Sequence, residues 1–225
     1  MPALFRDTVL RRGFPCLGAR SSVRRGQCRV RVYPELGTVR DATSVCADLY
    51  EFARDTTYPG NFASFTAMFT GPPIGSESEF ERLLWAHLQL MHDIDAPRYG
   101  WDPDTAGDPR DPRFSFSIGG HAYYIVGMHG AASRFARRFP YPTIVFNPHA
   151  QFVWLREQGL LDTFKRLIRT RDIRLQGSVN PALLNPASGS QACQYSGRPV
   201  EPHWHCPFQP HPDRPPAPAV RTSRA

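Results

Sequence analysis

Hydrophobic residues fall in two rhythms along this chain. Residues 27–36 alternate apolar and polar from Cys28, which predicts a strand. Residues 43–54 set Cys46, Leu49, Tyr50 and Phe52 at helical spacing, and 58–61, Tyr-Pro-Gly-Asn, then reads as a turn. The apolar run 62–69 predicts a second strand, which Gly71-Pro72-Pro73 ends. The clearest helix follows. Ser76 and Glu79 stand at capping-box spacing, and Phe80, Leu83, Leu84, Leu88 and Met91 then repeat at three and four residues to give one apolar face. His87 falls on that face, and His92 lies at its edge beside Asp93 and Asp95.

Beyond a Pro/Asp/Gly loop at 97–113 that holds Trp101, two β-type runs at 114–118 and 121–128 flank Gly119-Gly120 and predict a hairpin. A short helix is expected at 131–138, on which Arg134, Arg137 and Arg138 would face one way. Then come a strand at 143–146 and a long amphipathic helix to about 169, with Phe152, Leu155, Leu160, Phe164, Leu167 and Ile168 inward. Residues 174–208 are loop-rich, with Asn-Pro pairs at 180–181 and 185–186. Prolines at 210, 212, 215, 216 and 218, without apolar periodicity, predict a disordered tail over 209–225. Strands and helices mixed without strict alternation predict an α+β fold. It would be one domain over 1–208, its mixed or antiparallel sheet packed by helices.

Composition narrows the function. The 225 residues include 41% hydrophobic ones, enough for one substantial core. The net charge of +7 invites a nucleic-acid reading, but only Lys165 among the 27 basic residues is lysine. The arginines are dispersed along the sequence, and no helix-turn-helix, zinc-finger or RNA-binding signature accompanies them, so no nucleic-acid partner is expected. No apolar run approaches the roughly 20 residues a membrane helix needs. Arg6, Asp7, Arg11 and Arg12 stand where an export signal would carry its apolar stretch, so a cytoplasmic location with no membrane partner is expected. Cys16, Cys28, Cys46, Cys193 and Cys206 are scattered and read as free thiols. His203-Trp204-His205-Cys206 offers too few donors, with no second cluster, for a zinc site. No phosphate-binding or dinucleotide fingerprint occurs.

Read alone, these residues stop at an α+β domain with histidines at the ends of its elements. Phe14-Pro15-Cys16 and Cys206-Pro207-Phe208, however, form mirrored motifs near the two ends. Between them lie Leu-Leu-Trp-Ala-His-Leu-Gln-Leu-Met-His at 83–92, Phe-Ser-Phe-Ser-Ile-Gly-Gly at 114–120 and the run at 125–139. Val-Phe-Asn-Pro-His-Ala-Gln-Phe at 145–152, Leu-Gln-Gly-Ser-Val-Asn-Pro at 175–181 and Gln-Tyr-Ser-Gly-Arg at 194–198 complete an ordered series. In this order they resemble the YqcI/YcgG family, the FPC/CPF-motif proteins, over roughly residues 13–208. The resemblance implies a haem-dependent monooxygenase that N-hydroxylates the guanidine group of L-arginine or a related compound, as in pathways to guanitoxin and D-cycloserine. It implies haem b, O₂ as co-substrate, a small guanidino substrate and a separate electron-donating reductase. A non-catalytic haem sensor or carrier is the alternative.

Haem iron needs one strong axial donor and an open face. His129, His149 and His92 are the imidazole candidates, and Cys16 or Cys206 the thiolate ones. Arg134, Arg137 and Arg138 are the candidates for the haem propionates, since arginine pairs with carboxylates through two parallel hydrogen bonds. Asp93, Asp95 and Glu157 are the carboxylates considered for a guanidinium.

Overall fold

The computed structural model describes residues 1–56, 62–180 and 189–211. The turn expected at 58–61, the second Asn-Pro pair and the tail from 212 onward lie outside the described residues.

One strand organises the molecule. β2 (Ser64–Gly71) is buried on both faces, as an apolar run without alternation should be. Phe65, Ala67 and Phe69 enter one core cluster, and Met68 enters another on the opposite face. The sheet has the order β1-β2-β5-β4-β3. The edge strand β1 (Cys28–Glu35) runs parallel to β2, joined to it through the helix α3 (Val39–Asp55). The remaining pairings, among β2, β5 (Thr143–Pro148), β4 (His121–Met128) and β3 (Phe116–Ile118), are antiparallel. The α+β expectation with a mixed sheet is therefore met.

The larger core packs α3 and α4 (Glu77–Asp95) on one face of the sheet. α4 starts as its sequence predicts. Ser76 Oγ accepts the Glu79 N–H at 3.1 Å, and Glu79 Oε2 accepts the Gly75 N–H at 2.8 Å. The smaller core, on the other face, is built from α1 (Pro2–Leu10) with Phe5, Val9, Phe14 and Phe139. Phe14 and Phe208 thus belong to different clusters, so the mirrored motifs anchor opposite faces of the sheet and do not meet. The β3–β4 hairpin turns on Gly119 and Gly120, whose φ angles of 64° and 75° suit a two-residue turn of the primed type.

Two expectations are corrected. The helix over 131–138 is only a 3-10 turn at Phe135–Arg137, with extended backbone at Arg134 and Arg138. Side chains at 172–178 explain this: the Arg134 guanidinium is bonded to Asp172 and Ser178, and the Phe135 N–H to Gln176 Oε1. The long helix is also two helices, α5 (His149–Glu157) and α6 (Leu161–Gln176), broken at Gly159 with φ 66°. The break rotates the apolar stripe. Leu160 and Leu167 are exposed, while Leu161 is buried in their stead.

Candidate functional site

Antiparallel pairing decides which histidines can meet. Met128 at the end of β4 pairs with Thr143 at the start of β5, and Tyr123 pairs with Pro148. His129, just past β4, and His149, just past β5, therefore leave the sheet from opposite edges, roughly 20 Å apart at strand rise. The idea that neighbouring strand ends would bring them to one edge is corrected.

His129 is fully packed. Its ring stacks on Phe80 with centroids 4.3 Å apart, only 1% of the residue is exposed, and Nδ1 has no hydrogen-bond partner among the described residues. Burial pushes its pKa down to about 4, so the ring is neutral. His92 is buried between Trp101 and Phe208, and its Nε2 accepts the His211 N–H at 2.9 Å, which occupies that nitrogen. Cys16 caps α2 (Leu17–Arg24), its Sγ accepting the Ala19 N–H at 3.4 Å, and burial raises the thiol pKa. Cys206 is only partly exposed and packs against the larger core, and burial pushes its thiol up to about 12.

The three arginines do not share a face. Arg134 is buried against Asp172 and donates to Ser178. The Arg137 guanidinium donates to three carbonyls, those of Gly127 at 3.0 Å, Gln194 at 3.1 Å and Tyr195 at 3.2 Å. Arg138 Nε bonds the Ala132 carbonyl at 2.9 Å, and its guanidinium lies over the Phe135 ring. Arg134 and Arg137 tie the 129–139 segment to its surroundings, and Arg138 braces it from within. Asp95 is also committed, accepting the Tyr50 hydroxyl and the Gly119 N–H, both at 2.8 Å. Asp93 accepts from Gln89 and pairs with His211.

His149 is placed differently. It opens α5 at the edge of a cavity of about 310 Å³, lined also by Asp102, Asp104, Ala150, Val153, Trp154 and Glu157. Positions 149, 150, 153, 154 and 157 make one stripe of α5, and the 102–104 loop forms the facing wall. That loop is held in place. Asp102 Oδ2 accepts the Ala122 N–H at 2.8 Å, and the Asp102 N–H donates to Ser117 Oγ at 3.0 Å. Among the described residues no hydrogen bond reaches the Asp104 or Glu157 carboxylate. Burial lowers the His149 pKa, and Arg156 adds to this while Asp102 and Asp104 oppose it. The imidazole is thus neutral near pH 7. Of the expected site residues the cavity gathers His149 and Glu157. Asp102, Asp104 and Trp154 were missed. The helical stripe beginning at His149 would have found Trp154, but only tertiary structure brings the loop opposite.

Haem chemistry can be tested against this geometry. Iron asks for a neutral imidazole with an accessible nitrogen, and His149 meets that condition at a cavity edge. Val153 and Trp154 offer apolar wall for a macrocycle, and Arg156 is close enough to influence the imidazole electrostatically. The residues present therefore fit the donor requirement. The acidic rim suits a cation.

Taken together, the molecule is a single-sheet α+β protein whose α5 and 102–104 loop border an open histidine-and-carboxylate cavity. The YqcI/YcgG family profile matches residues 5–209, and the chain belongs to that family. It is similar to a Bacillus subtilis (strain 168) protein named uncharacterized protein YcgG, with 26% identity over 177 residues that span 76% of this chain and 69% of the relative. No solved structure matches the chain. Among the described residues no helix is long and apolar enough to cross a membrane.

Proposed function

We propose that this chain is a haem-dependent monooxygenase that places one oxygen atom on a guanidine nitrogen of L-arginine or a related guanidino compound. Family membership supports the reading, and one structural observation carries it: the cavity where the neutral His149 stands among Asp102, Asp104 and Glu157. A guanidinium is planar, charged and built for paired hydrogen bonds to carboxylates. Asp104 and Glu157 both line the cavity and would form the clamp. Asp102, anchored to the sheet through Ala122, fixes the loop that carries Asp104. Trp154 supplies a flat apolar surface on which a guanidinium can stack.

His149 would hold the haem iron, and the haem when bound would supply the centre at which O₂ is activated. The protein's own task is orientation. Carboxylates on the rim would hold the cationic end of the substrate along α5, which carries His149 at its first position and Glu157 at its last, and Val153 and Trp154 keep water from that wall. The test has two parts. Purified protein is loaded with haemin and its absorption spectrum recorded. Reduced, loaded protein is then given O₂, a reductase system and a panel of guanidino compounds. A product heavier by one oxygen atom and labelled from ¹⁸O₂ supports the proposal. Haem uptake with no product across the panel favours the sensor or carrier.

A further inference from the structure

Along the sequence the arginines are dispersed, but folding gathers them. Residues 1–26 and α6 hold eleven basic residues and three acidic ones, a net charge of +8 where the whole chain has +7. The rest of the molecule is close to neutral. The two segments lie side by side. Arg171 Nη2 donates to the Phe14 carbonyl at 3.0 Å, the Phe164 ring packs against Gly18, and Arg20 feels both Arg24 and Arg171.

Elsewhere several arginines are neutralised locally, while Arg54, Arg82, Arg98 and Arg156, spread over α3, α4, the loop after it and α5, take part in no ion pair among the described residues. Arg29 pairs with Asp55, Arg110 with Asp108, Arg113 with Asp111 and Arg198 with Glu81 and Glu201. Arg12, Arg24, Lys165, Arg166, Arg169 and Arg174 are all exposed, and none takes part in an ion pair among the described residues. Like charges gathered this way repel one another, so the fold gains nothing from them. Leu4 at 44%, Leu10 at 37% and Leu167 at 47% exposure stand among them as apolar contacts.

This pattern favours a protein partner. A membrane-surface helix presents a broad apolar face to lipid. Here α1 already uses Phe5 and Val9 on the smaller core, and Phe164 of α6 is stacked on Phe62, so no broad apolar face is left. The position favours a particular kind of partner. α6 follows directly from α5, whose first residue is His149, so the basic face lies one helix from the cavity.

We propose that the face formed by α1, α2 and α6 docks an acidic one-electron carrier protein. The inference rests on the monooxygenase reading for what the partner delivers, and on charge for the docking. Inserting one atom of O₂ into an N–H bond leaves the other atom to be reduced to water by two electrons and two protons. The chain carries no flavin or nicotinamide fingerprint, so a carrier supplies those electrons singly. Electron-transfer encounters are small, weak and electrostatically steered, which suits a basic ring around a few leucines.

The test titrates the full chain with an acidic [2Fe–2S] ferredoxin at about 20 mM and about 150 mM salt, where the screening length shortens severalfold. Binding at low salt that weakens at least tenfold at high salt is expected. Combining Arg12→Glu, Arg24→Glu, Arg166→Glu and Arg169→Glu abolishes it with the melting temperature within a few degrees of the parent. Reversing the locally paired Arg110 and Arg113 to Glu leaves binding unchanged. Absence of salt-dependent binding overturns the proposal. So does retained binding by the reversed variant, or tighter binding of the parent to a DNA duplex or phosphatidylglycerol vesicles than to the ferredoxin. Should a protein that takes up no haem still bind the carrier in this way, the docking face stands and the monooxygenase reading falls. A protein that hydroxylates guanidines yet ignores the carrier removes the docking proposal alone.

Discussion

His92 Nε2 accepts the backbone N–H of His211 at 2.9 Å, which fastens the chain to the end of α4 beyond the last buried aromatic, Phe208. Gln89 reinforces the strap. Its side-chain amide donates to the Gln209 carbonyl at 3.0 Å and accepts the Gln209 N–H at 2.9 Å. These bonds are partly exposed, so together they contribute about 1–2 kcal/mol. A chain ending after His211 should melt with the parent. One ending after Phe208 should melt lower by about 2–8 °C, given about 2–4 °C per kcal/mol at this size. Equal melting of the two shortened chains would show that the strap adds nothing net.

Acid stability follows from four buried groups. Burial holds His87, His92 and His129 down to about 4, against an ordinary 6.5. A depressed imidazole stabilises the fold fully above its ordinary value, and that contribution is lost as pH falls through 4. Asp95 has the opposite sign. Burial raises its carboxyl from 3.8 to about 6, so its contribution is full below 3.8 and lost as pH rises through 6. Three groups outweigh one, and urea midpoints should fall between pH 6.5 and 4. Asn at position 95 still offers an oxygen to Tyr50 and Gly119. Asp95→Asn should therefore raise stability at pH 7 by on the order of 1–2 kcal/mol and give no gain at pH 4. A gain confined to pH 4 would reverse the assignment.

Local rules made much of this fold readable. The α4 cap, the glycine pair of the hairpin and the extent of β1 are short-range features, each realised where the sequence places it, although β1 buries Cys28 and Tyr33 and exposes Val32 instead of alternating. Tertiary competition decided the misreadings. Arg134 sits at helical spacing from Arg138, but a buried ion pair to Asp172, 38 residues away, holds its backbone extended. His129 and His149 look alike in sequence, each just past a strand, and only the antiparallel register separates them. The cavity was half legible: α5 carries its stripe openly, whereas Asp104 reaches it through a loop whose position depends on Ser117 and Ala122.

That separation makes the histidines distinguishable. His149→Ala should remove or alter the coordination signature in the spectrum of haem-loaded protein, with little change in melting temperature, since the side chain is only partly buried. His129→Ala should leave the spectrum intact but cost about 2–4 kcal/mol, because it empties a packed site against Phe80. The reverse outcome, a lost signature in the His129 variant alone, would move the iron to the other edge of the sheet.

The carboxylates of the cavity give the most direct reading of its ligand. The Glu157 and Asp104 carboxylates have no hydrogen-bond partner among the described residues, so replacing them by the amides should leave the fold intact. Each charge-assisted bond to a guanidinium is worth about 1.5–3 kcal/mol. Glu157→Gln and Asp104→Asn should therefore each weaken L-arginine binding by roughly 10- to 100-fold, with less than additive loss in the double variant if both carboxylates grip one ligand. Trp154 lines the same cavity, so calorimetry and tryptophan fluorescence can report the binding together. Citrulline keeps the shape of arginine but not its charge. It should bind the parent weakly and should not respond to either substitution. Should citrulline bind as well as arginine, or the Glu157→Gln and Asp104→Asn variants bind arginine as the parent does, the acidic rim is not where the substrate's charge is read.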